Sequence, residues 1–366
     1  MDSSESLRVS VSTAVNETLI GGPARDGRGP ALLHRRLLFL LKAAVTVGIC
    51  ALILRYIDWA EFWITLRNSS LWLIGLVVVM RFGGVVISSV KWRLLLAVHG
   101  LEYRLGQLTR WYFSATFLSD FLPTNIGGDA YRIYKTFSNK RSKSCAILAV
   151  LIERITGLGA LVLLGYAAAI VTYLRRGDPL AAVLVMVFSV GIVGGVLGLW
   201  VLLRFGIARR LAATRYWPKF LTPALALIGE FRHHPRESFW VVAISFLFHV
   251  NKICVVWLLL QALGTSVNVF ELVVAVAAAD VMGLLPVSLG GLGVVDGSFI
   301  YVMGHFGVSH STGLATMLLM RTLRLPLSLT GAYFYFIGDG TVRADALDGE
   351  LATADVARAS VESSVN

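Results

Sequence analysis

Two stretches of an otherwise apolar chain carry the same phrase, FLPTNIGGDAYRIY at residues 121–134 and LLPVSLGGLGVVDG at 284–297. Leu122-Pro123 aligns with Leu285-Pro286, and Gly127-Gly128 with Gly290-Gly291. Glycine lets backbone N–H groups approach a ligand closely. A helix beginning after Gly127-Gly128 would offer free N–H donors and a positive dipole end, which is the chemistry of phosphate binding. Asn125 belongs to the same phrase, Asp129 is placed to cap such a helix, and Tyr131, Arg132 and Lys135 follow within two turns. The plain alternative is that Pro and Gly kink helices or let them pack closely, as small residues do in membranes. Recurrence at equivalent places favours the site.

Charges inside apolar stretches are the second signal, because an intramembrane charge is costly and usually functional or paired. Glu153-Arg154 lies about a third of the way along one stretch, and Arg321 and Arg324 take the corresponding place in another. Glu153 would neutralise Arg154 or Arg321 and leave another arginine to grip a lipid phosphate with its planar fork. A structural ion pair between the two halves is the alternative; either way these residues should face inward. Arg81 and Lys252 each fall mid-stretch, the latter beside His249 and Asn251. Lys252 would serve an anionic head group, and His249 a proton-coupling step, although a hydrogen-bonded structural histidine is the commoner role. Asp280 and Asp296 flank the second phrase, as does Gly293; the two carboxylates would cap half-helices or, less simply, bind a cation. Lys42 lies near a span end and would snorkel.

The elements that must position these groups follow from composition. Of 366 residues, 56% are hydrophobic and only 15% charged, against roughly 25% charged in globular proteins. Several stretches reach the ~20 apolar residues a helix needs to cross a bilayer, and the ~10-residue alternating segments of a β-barrel are absent. The expected fold is therefore an all-α polytopic membrane protein. The net charge of +11 sits in short loops, which topology explains without a nucleic-acid partner. Cys50, Cys145 and Cys254 are scattered in apolar stretches, so packing is expected rather than a metal or disulfide framework. No GxSxG, HExxH, CxxC or P-loop is present, and the Gly-Gly pairs do not open a βαβ unit; neither catalysis nor a cofactor is expected.

Candidate spans are 37–57, 71–90, 145–173, 180–203, 239–261 and 312–337. Arg25, Arg28, Arg35 and Arg36 keep the N-terminal arm cytoplasmic, and the basic loops at 91–110, 132–143 and 204–238 return to that side. Segment 111–131, with basic loops on both sides, reads as a re-entrant hairpin with Pro123 and Gly127-Gly128 near its tip. The second phrase starts from the external side, with no Lys or Arg between 271 and 310. Each half is then two spans, a Pro/Gly-Gly hairpin and a third span. Three crossings give inverted halves, 37–174 and 180–338, between a disordered cytoplasmic arm (1–36) and tail (339–366). Paired interrupted segments in inverted repeats point to a site near the midplane, and non-helical backbone at that depth needs a cavity. Hydropathy alone does not separate a hairpin from two short full spans. Trp59, Trp63, Trp72, Trp92, Trp111 and Trp217 lie near span ends and read as interfacial anchors.

FLPTNIGGDAYRIYK with IERITGLGALVLL, then LLPVSLGGLGVVDGSFIYVM with MRTLRLPLSLTGAYFY, resembles the lysylphosphatidylglycerol synthase transmembrane-region family over about residues 37–338. That family includes the flippase domain of bacterial multiple peptide resistance factors and many stand-alone homologues. The resemblance implies an inner-membrane protein that moves a phospholipid or other amphiphile, such as a polyprenyl phosphate, between leaflets. It points to Pro123, Gly127, Gly128, Arg132, Glu153 and Arg154, and to Pro286, Gly290, Gly291, Gly293 and Arg321. Asp296 stands where a glutamate is expected, and Thr156-Gly157 where an acidic position is expected, which puts a carboxylate role there in doubt. The tail after Tyr335 is too short for a soluble aminoacyl-transferase domain, so lysyl-lipid synthesis by this chain is not expected. The alternative role is an accessory subunit presenting a lipid intermediate to a separate lipid-modifying enzyme or glycosyltransferase.

Overall fold

The computed structural model describes residues 55, 59–121, 126–136, 140–204, 234–285, 287–288 and 291–338. The expected arm 1–36, the span 37–57 except Arg55, most of the loop 204–238 and the tail 339–366 lie outside the described residues, with Lys42, Cys50 and Trp217. So do the phrase residues Pro123, Asn125, Pro286 and Gly290.

Among the described residues every regular element is helical. In chain order they are α1 (Trp59–Arg67), α2 (Leu71–Val98), α3 (Leu105–Phe121), α4 (Ile126–Thr136), α5 (Lys140–Arg176), α6 (Pro179–Arg204), α7 (Pro235–Ala262), α8 (Val269–Met282), α9 (Val294–His305), α10 (His310–Thr322) and α11 (Leu325–Tyr333). A π-helical turn, Phe334–Gly338, follows α11. Four helices are long and apolar enough to cross a membrane: Leu71–Val98, Cys145–Arg176, Pro179–Gly198 and Pro235–Ala262. On α6, Val183, Met186, Val190, Val193, Val196, Leu197 and Trp200 stay exposed. A strip that large is a liability in water and is at home against acyl chains. This is a multi-pass membrane protein.

Local sequence sets the helix ends. Gly177 adopts φ 62° and its N–H donates to the Tyr173 carbonyl at 2.7 Å, closing α5 in the left-handed conformation that glycine tolerates. Asp178 then caps α6, its Oδ1 accepting from the Ala181 N–H at 2.9 Å. Pro179 takes the first helical position, where no N–H is needed.

Two expectations change. Span 71–90 continues to Val98, because Lys91 and Arg93 lower hydropathy without breaking the helix. Span 312–337 is not one helix but divides at Leu323-Arg324 into α10 and α11. Pro326 causes the break: it has no N–H to donate, and its ring opposes the carbonyl four residues back.

Polar contacts at the helix ends define the connectivity of the bundle. The Ser70 N–H donates to the Ala262 carbonyl at 2.8 Å, so α2 and α7 lie antiparallel, and they pack along much of their length. Arg176 pairs with Glu271 at 2.8 Å and His305 with Asp178 at 2.8 Å. The start of α8 and the end of α9 therefore meet at the α5–α6 turn. Tyr103 Oη donates to the Thr136 carbonyl at 3.1 Å, which joins the start of α3 to the end of α4. The 37 residues of α5 span roughly 55 Å at 1.5 Å per residue, so these two meeting points lie at opposite ends. Both α3–α4 and α8–α9 are helical hairpins that return to the end from which they start.

Each hairpin packs its first helix on a distant long segment. A Cβ at Gly165 of α5 would lie 2.5 Å from Ala277 Cβ on α8, and one at Gly331 of α11 would lie 2.2 Å from the Phe113 carbonyl oxygen on α3. The main core, including Leu260, Leu272, Phe299 and Met303, fills the space between α5, α7, α8 and α9.

Gly331→Val should therefore cost about 1–3 kcal/mol of overpacking, read as a lower unfolding temperature in detergent. Gly159→Ala, whose Cβ meets nothing within 4 Å, should leave it unchanged. A second prediction concerns pH. Desolvation raises the Asp178 carboxyl, but the Ala181 N–H and His305 outweigh it and hold the group below the ordinary carboxylate range. Its stabilising contribution is then complete above the ordinary aspartate value and is lost as pH falls through the depressed one. Acid should loosen the 176–182 turn in hydrogen exchange, and Asp178→Asn should remove that acid dependence.

Candidate functional site: a cavity lined by charged side chains

A cavity of about 660 Å³ opens between α2, α3, α7, α8, α9, α10 and α11. Its charged lining comprises Arg81, Asp120, Lys252, Asp280, Asp296, Arg321 and Arg324. Three cations have carboxylate partners. Lys252 Nζ donates to both oxygens of Asp280 at 2.6 Å. Arg321 donates to Asp296 at 2.6 and 3.2 Å, and Asp296 also accepts from the Gly293 N–H at 3.0 Å. Arg324 pairs with Asp120 at 2.6 Å, which also accepts from the Ser328 hydroxyl.

Arg81 differs. Its Nη1 lies 3.3 Å from Met320 Sδ, a weak acceptor. Its buried Nε has no hydrogen-bond partner among the described residues. A buried donor without a partner is costly, and a guanidinium fork pointing into a cavity is suited to an anion.

Beside the cavity stands a second cluster. Arg132, only 2% exposed, bonds Glu153 at 2.7 Å and Asp129 at 2.6 Å. Its guanidinium lies 4.5 Å from the Tyr112 ring centroid and 5.2 Å from that of Trp92. Tyr112 Oη donates to Glu153 at 3.0 Å, and Lys91 Nζ donates to the Glu153 carbonyl at 2.9 Å. Arg154 grips Asp129 through contacts of 2.9–3.2 Å. His249 Nε2 meets the Gly157 carbonyl at 2.9 Å, which requires the Nε2–H form, and its buried Nδ1 has no hydrogen-bond partner among the described residues.

The structure thus gathers Asp129, Arg132, Glu153 and Arg154 into one cluster, and Lys252, Asp296, Arg321 and Arg324 around the cavity. Several expected pairings change. Glu153 neutralises Arg132 rather than Arg154 or Arg321. Arg154 stays 60% exposed and outside the cavity lining, because its place on α5 turns it away from Glu153's side. Lys252 is no free cation, since Asp280 occupies it. Asp129 serves arginines more than backbone donors, whereas Asp296 does cap its helix. Gly128 seats α4 against α3: a Cβ there would lie 2.3 Å from both the Ala115 carbonyl oxygen and Ser119 Oγ. Gly127 is half-buried in the same first turn. Gly291 and Gly293 take φ 78° and 79°, which lets the chain turn into α9. Trp92 is fully buried under Arg132 instead of lying at an interface, while Trp59, Trp63 and Trp72 are exposed. Sequence reasoning missed Tyr112 and Asp120. The one available signal was a carboxylate within an apolar stretch.

Residues 39–331 match the family model described as the lysylphosphatidylglycerol synthase TM region. The chain belongs to that family. A UPF0104 membrane protein of Methanothermobacter thermautotrophicus is 33% identical over 82 residues, covering 22% of this chain and 24% of that relative. The match therefore spans about a quarter of the relative's length.

In this member of the lysylphosphatidylglycerol synthase transmembrane-region family, the Arg132–Glu153 pair is the most enclosed ionic contact described above. Removing one partner of a buried pair leaves a stranded charge, at a cost of about 3–5 kcal/mol. Glu153→Ala should lower thermal stability in detergent by that amount. The combined Arg132→Met, Glu153→Leu exchange keeps Asp129 paired with Arg154 but leaves buried Lys91 without the carboxylate beside it, and should recover part of that loss.

Proposed function

We propose that this chain translocates a phosphate-bearing lipid between leaflets, holding the head group in the cavity while the acyl chains remain in the bilayer. The observation that carries this reading is Arg81, a cation in a cavity that has no carboxylate partner among the described residues. A lipid phosphate would supply the missing acceptors with charge-assisted hydrogen bonds.

Pseudosymmetry supports the reading. Asp129–Arg154 and Asp296–Arg321 share a separation of 25 residues. The Gly165–α8 and Gly331–α3 contacts repeat one relation with roles exchanged. These features fit two inverted-topology repeats, 37–174 and 180–338, whose hairpins are re-entrant from opposite faces. Transporters built this way place their substrate between the repeats and rock around it. The reading includes cytoplasmic termini in an inner membrane. With no ATPase motif in the sequence, movement is downhill or coupled to an ion.

In proteoliposomes carrying tail-labelled phospholipids and polyprenyl phosphates, the wild-type protein should move one lipid class between leaflets. Arg81→Gln should slow that movement by roughly ten- to a hundredfold, as loss of a charge-assisted hydrogen bond implies. If folded wild-type protein moves no member of the panel, unaided translocation is overturned. An accessory role beside a lipid-modifying enzyme or glycosyltransferase then takes its place.

A further inference from the structure

We infer that His249 is a proton-binding site that couples lipid movement to proton uptake. The inference rests on the translocation reading above and names the ion that drives it. His249 is 8% exposed and stands on α7, which packs on α2 and α5. Its Nε2–H donates to the Gly157 carbonyl of α5 at 2.9 Å, which leaves a lone pair on Nδ1. That buried nitrogen has no hydrogen-bond partner among the described residues. A neutral imidazole so placed is a base with an unused acceptor, and a proton is the smallest ligand that can fill it.

A second buried base stands beside it. Lys91 of α2, 5% exposed, donates from Nζ to the Glu153 carbonyl at 2.9 Å. A Cβ built on Gly157 would lie 3.8 Å from Lys91 Nζ and 4.0 Å from His249 Nε2, so the two nitrogens bracket one point on α5 with no side chain between them. The other charged groups acting on the ring are Lys252 of α7 itself and Asp280 of α8. On α5, Glu153 turns its carboxylate to Arg132 and Tyr112. The helix α10, also packed on α7, brings Arg321, which Asp296 holds. A positive charge on the ring therefore meets two ammonium groups, and Asp280 beside it already accepts from Lys252 at 2.6 Å.

An anion in the cavity changes that balance. Phe248, Asn251 and Lys252 line the cavity, so His249 lies within one helical turn of its wall. A lipid phosphate held there adds a negative charge where little water screens it. It compensates an imidazolium directly, or it takes over Lys252 and frees Asp280 to do so. The neutral ring then goes with an empty cavity and the protonated ring with a filled one. Linkage makes the effect reciprocal: a proton bound at Nδ1 tightens the anion by the same factor. The proton is taken up at Nδ1 as the lipid enters and given up as it leaves, so each negative charge crosses with one compensating positive charge. A pH gradient would drive the lipid towards the alkaline side.

The test pairs binding with movement. Purified full-length protein would be titrated in detergent with phosphatidylglycerol between about pH 5.5 and 8, the range in which histidine changes charge, with the rise in unfolding temperature as readout. The lipid should half-saturate at roughly tenfold lower concentration at the acid end, the scale of one partly screened charge pair. His249→Gln keeps a donor for the Gly157 carbonyl but cannot titrate, and should flatten the profile. His305→Gln, at the α5–α6 turn, should leave the profile as it is. Lys91→Gln removes the competing ammonium and should carry the profile about one unit higher in pH, which keeps the test decisive if His249→Gln fails to fold. A response to the lipid that ignores pH, no response at any pH, or a profile that neither variant alters overturns the inference. Tail-labelled phosphatidylglycerol would then be followed in proteoliposomes under an imposed pH gradient. It should accumulate in the leaflet on the alkaline side, and His249→Gln should abolish that bias. Movement indifferent to pH would keep translocation and sink proton coupling; proton-linked binding without movement would do the reverse.

Discussion

A carboxylate in the first turn of α4 and another in the first turn of α9 each hold an arginine 25 residues further along the chain. These two contacts tie the returning helix of each hairpin to the segment that follows it. In a medium without water, a charge is tolerable only when another charge or a cavity compensates it. Sliding either hairpin along α5 or α10 would separate those charges, but Arg154 is 60% and Arg321 41% exposed, so each contact sets register for only about 0–1 kcal/mol. The position of α3 and α8 over the cavity rests mainly on the close glycine contacts that seat them on α11 and α5.

On the proposed pseudosymmetry, the two halves differ in an informative way. The register shift that carries Asp129 to Asp296 and Arg154 to Arg321 also carries Arg132 to Phe299 and Glu153 to Met320. In that register the buried Arg132–Glu153 ion pair corresponds to two apolar residues, an exchange that is often neutral for stability when volume is kept. Its electrostatic consequence falls on Arg81. The group it meets is Met320 Sδ, at the position where the first half carries a carboxylate. The thioether fills space but brings no charge, so Arg81 has no carboxylate partner among the described residues.

Much of this could be read from the sequence, and the gaps have physical causes. The long apolar runs gave α2, α5, α6 and α7 because a bilayer sets both length and composition. The repeated Pro/Gly-Gly phrase falls at the α3–α4 and α8–α9 connections. Partners were harder. Glu153 and Arg154 are adjacent, yet neighbours on a helix point about 100° apart and do not share a face. Glu153 therefore finds Arg132, and Arg154 finds Asp129. Arg81 stood out as a mid-span charge, but sequence could not tell it from Lys252. What separates them is whether a carboxylate on another helix comes within reach, and that depends on packing. Trp92 shows the same limit: hydropathy ended its span at Lys91, whereas the helix continues and buries the indole beneath Arg132.

The energetic contrast between the halves bears on where the cavity can yield. Arg132 and Glu153 are enclosed, and parting them costs about 3–5 kcal/mol. Arg321 is 41% exposed where it meets Asp296, so solvent screening reduces that contact to about 0–1 kcal/mol. Arg324 is 48% exposed where it meets Asp120, and the same discount applies. The enclosed pair lies outside the cavity lining, while both screened pairs form part of its wall. Carboxylates held this loosely can exchange partners with little loss. On the proposed reading, a phosphate arriving at Arg81 would recruit Arg324 or Arg321 without disturbing the Arg132–Glu153 pair beside the cavity. The fold thus keeps its rigid electrostatics beside the cavity and its adaptable electrostatics within it.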